Sequence, residues 1–347
     1  MATKKRAKKP RQRGSSPRVI DNPNKAPRKI ILEHYLSPGD VVVMTAAIRD
    51  LHLSNPGKFI TDVRTSCSAI FENNPYVTHI DDDGGGVTKI KAEYNLIHEC
   101  NEGAHHFIHG FAQDLEKQLG VNIHVSKLKG DIHISDDEKS WYSQIHEILG
   151  KDVPYWIVDA GSKNDYTAKQ WEPQRFQQVV SSCPDITFVQ IGAEEHNHAP
   201  LEGDNLINLI GKTDMRQLIR LIYNSYGVIT PVSLPMHLAA AIEMHPRFKR
   251  KTRPCIVIAG GREPSVWEAY TNHAYLHTCG MLSCCDNGGC WKSRTVPLDD
   301  KDDKNKSLCV YPVKTDSGVF IPRCLDMITA AEVILNIKRY MSWEMPK

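Results

Sequence analysis

From residue 29 onward the apolar positions of the chain follow two alternating periods. Short apolar runs predict buried strands at Lys29–His34, Lys58–Val63, Tyr76–Ile80, Asp131–Ile134, Tyr155–Val158, Ile186–Ile191, Val228–Thr230 and Pro254–Ala259. Between them apolar residues recur at helical spacing. They do so at Val41, Met44, Ile48 and Leu51, around Cys67–Glu72, over Ala104–Leu119, at Phe176, Val179 and Val180, and at Met215, Leu218, Ile219 and Ile222. A final amphipathic helix is predicted over Met327–Met341 through Met327, Ala331, Ile334, Ile337 and Met341. Strand and helix in alternation predict an α/β protein with two parallel, doubly wound sheets. A length of 347 residues suits two domains, expected at 29–150 and 151–326, with a terminal helix at 327–347.

Two turns in this pattern carry candidate chemistry. Asp40 follows the first strand and opens the first helix, at the carboxyl edge where open α/β sheets present reactive groups. The plainer reading of Asp40 is a helix cap. The second turn, Ala160-Gly161-Ser162-Lys163, follows the strand at Tyr155–Val158 and precedes a helix. Such a turn holds a phosphate through backbone N–H groups and the positive helix end. Lys163 and Lys169 would add point charges there, and Thr167 a hydroxyl. The alternative is an ordinary turn with solvated lysines. Neither G-x-G-x-x-G nor G-x-x-x-x-G-K-[ST] occurs, so no dinucleotide fingerprint or P-loop is indicated. A further turn, Pro231 to Ala241, leads through Ser233 and His237 into a closely packing small-residue helix.

Composition changes this picture only at the ends. The chain is 41% apolar and 24% charged, as soluble globular proteins are. It has no run of apolar residues long enough to span a membrane and no secretory h-region at its start, so the expected compartment is the cytoplasm. The net charge of +2 hides an asymmetry: residues 1–29 hold eleven Lys or Arg against one acid, which leaves the body at −8. Residues 1–28 are expected to be a disordered basic tail, able to touch nucleic acid or an anionic surface weakly. The acidic body argues against nucleic acid as the main partner.

Six of the ten cysteines lie between Cys279 and Cys324. Gly288-Gly289 permits the tight turn that two thiolates on one metal require. The expectation is a four-cysteine site from Cys285, Cys290, Cys309 and Cys324, with Cys284 able to replace Cys285, holding zinc or iron. The acidic stretch Asp299–Lys304 would depend on that crosslink for its order. His98, Cys100, His105 and His106 match no standard metal spacing, and Cys67, Cys183 and Cys255 read as buried thiols.

Ser37-Pro38-Gly39-Asp40 with Thr45, Glu72-Asn73-Asn74-Pro75-Tyr76-Val77, Lys169-Gln170-Trp171, Gly211-Lys212-Thr213 and His237-Leu238-Ala239-Ala240-Ala241 occur in that order along residues 29–345. Together they resemble the family 9 glycosyltransferases, the ADP-heptose:lipopolysaccharide heptosyltransferase group. The resemblance implies a GT-B fold, in which two Rossmann-like domains enclose a nucleotide-sugar cleft and the terminal helix returns to the first domain. It implies inverting transfer from a nucleotide-diphosphate sugar, favouring an ADP-sugar, to a glycan, lipid-linked glycan or protein acceptor. In that scheme Asp40 is the base, and Gly161, Ser162, Lys163, Thr167 and Lys169 hold the diphosphate. Glu195 would bind ribose and Thr213 would lie near the base, while Ser233 and His237 complete the donor site. Some related protein heptosyltransferases carry cysteine-bound iron, which adds that option by analogy. One departure stands out: the family's aspartate five residues before the histidine is Val232 here. A non-catalytic nucleotide-sugar or glycan-binding protein is therefore the rival reading.

Overall fold

The computed structural model describes residues 26–342, so residues 1–25 of the basic tail expected at 1–28 and residues 343–347 lie outside the described residues, while Arg28 already belongs to the first strand. The first half is built on three parallel strands, β1 (Arg28–His34), β2 (Phe59–Thr65) and β3 (Val87–Lys91), in the order β2-β1-β3. Helices α1 (Pro38–Ser54) and α2 (Phe107–Leu119) pack together beside it. α1 is buried around its whole circumference from Val41 to Leu51, with the charged Arg49 and Asp50 bonded to each other. Such a helix needs cover on all sides. It receives that cover from the first sheet, from α2 and from a helix of the second half.

Two expected strands are not formed as such. Tyr76–Ile80 makes a single bridge, Val77 to Thr61, and Asp131–Ile134 is irregular chain. Side chains of α1 take the bonds a ladder would have used there: Asp131 N–H donates to Thr45 Oγ1 at 2.7 Å, and Arg49 donates to the carbonyls of Lys127 and Lys129 at 2.9 and 3.0 Å. Gly130 passes between the halves, where a Cβ would sit 2.8 Å from the Val42 carbonyl oxygen and 3.0 Å from the Ala241 Cβ.

The second half is a six-stranded sheet formed by β4 (Tyr155–Asp159), β5 (Thr187–Ile191), β6 (Leu206–Asn208), β7 (Gly227–Pro231), β8 (Cys255–Gly260) and β9 (His273–His277). All its pairings are parallel, and the order is β9-β8-β7-β4-β5-β6. Ile157 lies beside Val189 on one flank and Val228 on the other, all three fully buried. Strands covered on both faces read as continuous apolar runs, which is why the sequence exposes them so clearly. The order reverses between β4 and β7, so the crevice beyond their carboxyl ends is the fold's natural ligand position. The main helices are α3 (Pro173–Ser181), α4 (Met215–Asn224), α5 (Leu234–Ala241), α6 (Ser265–Glu268) and, after a single turn at Arg323–Asp326, α7 (Ala330–Ser342).

The terminal helix does not return to the first half. α7 packs on α3 and β8, and its Val333, Ile337 and Tyr340 join Trp156, Val158, Phe176 and Ile258 in one buried cluster. Trp171 Nε1 donates to the Ile328 carbonyl at 3.0 Å, and Arg175 grips Asp326. The apolar stripe of α7 finds its cover on the face of its own sheet that α3 also packs against. The opposite face of that sheet shares its core with the first half, through α5 against α1.

Candidate active site

The loops after β1 and β3 face those after β4, β7 and β8. On the first wall, Ser37 stands at the N-cap of α1, which leaves Asp40 in the first turn with no capping duty. Its side chain is 19% exposed, 3.9 Å from His34 Nε2. The Tyr94 hydroxyl donates to Asp40 Oδ2 at 3.3 Å. His34 is fixed through Nδ1 on the Ala92 carbonyl at 2.9 Å, so its Nε2 edge stays turned toward Asp40. The Tyr94 phenol is pushed well up by burial, with Asp40's charge adding to it, and stays a hydrogen-bond donor.

The opposite wall corrects the expected phosphate turn. Gly161 and Ser162 pair antiparallel with His198 and Asn197, so their backbone is not an open cradle. The next helix begins only at Pro173, because Thr167–Lys169 forms a tight turn and the buried Trp171 and Glu172 anchor the chain first. Thr167 is tied to Thr295 by two 3.0 Å bonds, its hydroxyl oxygen accepting from the Thr295 N–H and its carbonyl from the Thr295 hydroxyl. Ser162 Oγ, by contrast, is buried with no partner. Lys163 Nζ crosses the cleft to donate to Ser37 Oγ at 3.0 Å. Lys169 Nζ lies 3.0 Å from Glu263 and donates to the Val232 carbonyl at 3.2 Å.

The remaining expected residues are dispersed around this centre. Glu195 is exposed on the loop after β5, where its carbonyl accepts from Asn164. The neighbouring Glu194 has its carboxylate against Gly211, two residues before Thr213, and Thr213 precedes the N-cap Asp214 of α4. Ser233 Oγ donates to Asp159 Oδ2 at 2.7 Å, and Thr230 Oγ1 donates to the same oxygen at 3.0 Å. Burial raises the Asp159 carboxyl, although His198, Ser233 and Thr230 favour its ionised form. His237 bonds the Tyr270 hydroxyl at 2.7 Å through Nδ1, and burial pushes it down to about 3, so it is neutral. A Cβ on Gly39 would lie 3.0 Å from its ring, so Gly39 and His237 bring the two walls into contact.

Sequence reasoning missed Arg262 and Glu263 on the loop after β8 and Glu268 at the end of α6, together with Tyr94, His34 and Asp159. Gly260-Gly261-Arg262-Glu263-Pro264 reads along the chain only as a turn. The available signal was position, since charged residues directly after a central buried strand lie at the cleft edge. Glu263 is buried and bonded to Arg262 and Lys169. Burial works to raise its carboxyl, but the two cations hold it below the ordinary glutamate value.

The cysteine-rich segment also departs from expectation. Cys285 is buried and directs its thiol to the carbonyls of Leu282 and Thr278 at 3.4 and 3.6 Å. The thiols that line one small cavity, about 10 Å³, are those of Cys284, Cys290, Cys309 and Cys324, beside Arg262 and Tyr311. Among the described residues no three His, Cys, Asp or Glu side chains are placed to hold a metal ion, so the expected site from Cys285, Cys290, Cys309 and Cys324 is not formed. Nor does the acidic stretch wait on a crosslink. The guanidinium of Arg294, fully buried, bonds both Asp300 oxygens at 2.8 and 2.6 Å and Asn305 at 2.6 Å.

Residues 102–274 match the family model for glycosyltransferase family 9 (heptosyltransferase). Similar solved structures include a family 9 glycosyl transferase from Veillonella parvula, at 14% identity and TM-score 0.56 over 91% of this chain and 98% of that one. ADP-heptose lipopolysaccharide heptosyltransferase II of E. coli is 16% identical, with TM-score 0.55 over 91% and 99%. The iron-containing dodecameric glycosyltransferase TibC of enterotoxigenic E. coli is 16% identical, with TM-score 0.61 over 92% of this chain and 78% of its own. A comparison with curated proteins returned no match. Fold and family define the class, a glycosyltransferase of GT-B architecture. Within that class the chain is a family 9, heptosyltransferase-like protein. Among the described residues no helix is long and apolar enough to cross a membrane.

Proposed function

We propose that this enzyme moves a heptose or hexose from a nucleotide-diphosphate sugar, an ADP-sugar by preference, to a hydroxyl of a glycan, lipid-linked glycan or protein, with inversion. The observation that carries the reading is the opposition of Asp40 on one wall to the Lys169–Glu263–Arg262 cluster on the other, at the strand-order reversal. Asp40 accepts the acceptor hydroxyl's proton as that oxygen bonds the anomeric carbon. The bond from that carbon to the phosphate oxygen breaks, and its electron pair leaves with the nucleoside diphosphate. Lys169 and Lys163 stabilise the departing charge. Glu263 keeps the Lys169 ammonium in place, and the unpartnered Ser162 hydroxyl is free to donate to a phosphate oxygen. Asp159, Thr230 and Ser233 brace the floor of the cleft between β4 and β7. Glu194 or Glu195 would meet the ribose and Thr213 the base. A thermal-shift screen with ADP-, GDP- and UDP-sugars tests this, since a ligand selective for the native state raises its stability. Stabilisation by a nucleoside-diphosphate sugar is the expected outcome, and none from any of them would refute the reading.

The thiol cavity supports a second, structural reading, a zinc or iron around which Cys284, Cys290, Cys309 and Cys324 would have to close from their present spacing. In its favour are the four cysteines around one cavity and the iron that TibC contains. Such an ion would act only as a crosslink, clamping the segment after β9 to the end of the chain. Burial, with neighbouring thiols adding to it, holds Cys324 up at about 12 and Cys284 at about 11, so ion binding would release protons. Metal analysis of protein purified under reducing, chelator-free conditions should find about one ion per chain; none would remove the site.

A further inference from the structure

Two carboxyl groups in the cleft are incompletely bonded. Glu263 and Glu268 are 3% and 4% exposed, and each has one Oε2 with no hydrogen-bond partner. For Glu263 the omission is partial, because its other oxygen meets Lys169 and Arg262. Glu268 has less: its nearest charged-type neighbour is His237 Nε2, 3.8 Å away, beyond hydrogen-bond reach. A buried polar atom left unbonded costs stability, so native proteins keep very few without a use.

The surroundings select what would satisfy it. Glu268 Oε2 stands 3.8 Å from His237, whose ring meets Gly39 beside Asp40, so it sits at the seam of the two walls, and the charges that act on it are Glu263, Lys169 and Arg262 from its own wall and Asp40 from the other. Burial, then the charge of Glu263, pushes its carboxyl well above the ordinary glutamate value. A neutral carboxyl both donates and accepts one hydrogen bond. An anionic partner such as phosphate would face the Glu263 carboxylate, and a cationic one would face Lys169 and Arg262. What remains is an uncharged group that also donates and accepts, which is a hydroxyl. In the proposed reaction the part of the donor lying between Asp40 and Lys169 is the sugar ring.

We propose that Glu268 receives a hydroxyl of the transferred sugar and helps set which sugar the enzyme accepts, an inference that rests on the transferase reading above. It supplies from the end of α6 an acid on the proposed sugar path where Val232 offers only a backbone carbonyl, already taken by Lys169.

The test compares wild type, E268L and E268Q with ADP-heptose, GDP-mannose and UDP-glucose, and with the monodeoxy analogues of whichever donor the wild type uses. E268L is expected to lose roughly 100-fold or more in kcat/KM on the full sugar, because a site built to bond a hydroxyl discriminates strongly. On one monodeoxy analogue the two proteins should come within a few-fold of each other. E268Q, whose amide also donates and accepts, should recover most of the loss. Calorimetry with the matching nucleoside diphosphate should give E268L an affinity within about twofold of wild type, since the contact is to the sugar rather than to the phosphates. If E268L fails to fold, the same analogue series on E268A decides, through a narrowed gap between full and deoxy sugar. An equal loss on every donor and analogue, or no loss on any, overturns the inference while leaving the transferase reading intact. A wild type that neither binds a nucleoside diphosphate nor turns over a donor overturns both.

Discussion

At the residue scale the chemistry depends on two side chains that reach the cleft from opposite halves. Asp40→Asn should abolish transfer while leaving ADP affinity within about twofold, because a base acts on the transition state and not on donor binding. Single-turnover assays beside calorimetry check this, and near-normal turnover would remove Asp40 from the reaction. Lys169→Ala should weaken nucleoside-diphosphate binding by about 1.5–3 kcal/mol, the worth of a charge-assisted contact. It should also lower Tm, because Glu263 would keep only Arg262 as its counter-charge in a buried position. Calorimetry and a melting curve read the two effects separately. Asp40 and Lys169 were legible in the sequence because each follows a strand in a short, ordered motif. Glu268 was not: its meaning depends on Asp40, 228 positions earlier, and on a hydrogen bond that is missing, which no spacing encodes.

At the scale of elements, burial on both faces decided what could be read. β4, β5, β7 and β8 are predominantly apolar runs and lie within about a residue or two of the sequence reading. β3 escaped it, since Val87–Lys91 is mostly exposed and carries two lysines. α7 was legible as an amphipathic helix but not as to its partner, because a stripe of Val333 and Ile337 fits any apolar face of the right width. Its docking on α3 predicts that Ile337→Ala, at a fully buried position, costs about 2–5 kcal/mol. Hydrogen exchange should place the loss in the second sheet and not in β1–β3. Within the cysteine-rich segment Arg294→Met should release residues 298–306 to early proteolysis, metal present or not. Cleavage unchanged from wild type would return that loop's order to some other source.

The whole molecule carries its buried imidazoles as an acid-sensitive load. Burial pushes His106 down to about 4 and His237 to about 3, against 6.5 in the unfolded chain. The unfolded state therefore takes up protons first. The stability these groups contribute is complete above pH 6.5 and is lost as pH falls toward their folded values, by up to about 1.4 kcal/mol per pH unit for each. Glu268 runs the other way: its raised carboxyl favours the fold below about pH 4.5 and loses that advantage as pH rises. Melting curves from pH 7.5 down to 5 should show a falling Tm, and His106→Asn, which can still cap α2, should flatten the slope. An unchanged slope would mean that other groups govern the acid limb. The α1–α5 seam constrains the molecule in another way. Because α1 is buried on every side and carries the proposed base, a gene cut near residue 150 yields a first half with one bare hydrophobic flank, and that half should aggregate. A chimaera meant to change the donor would need to import a second half whose α5 matches Val42 and Gly130, so this enzyme's modularity ends at its own midline.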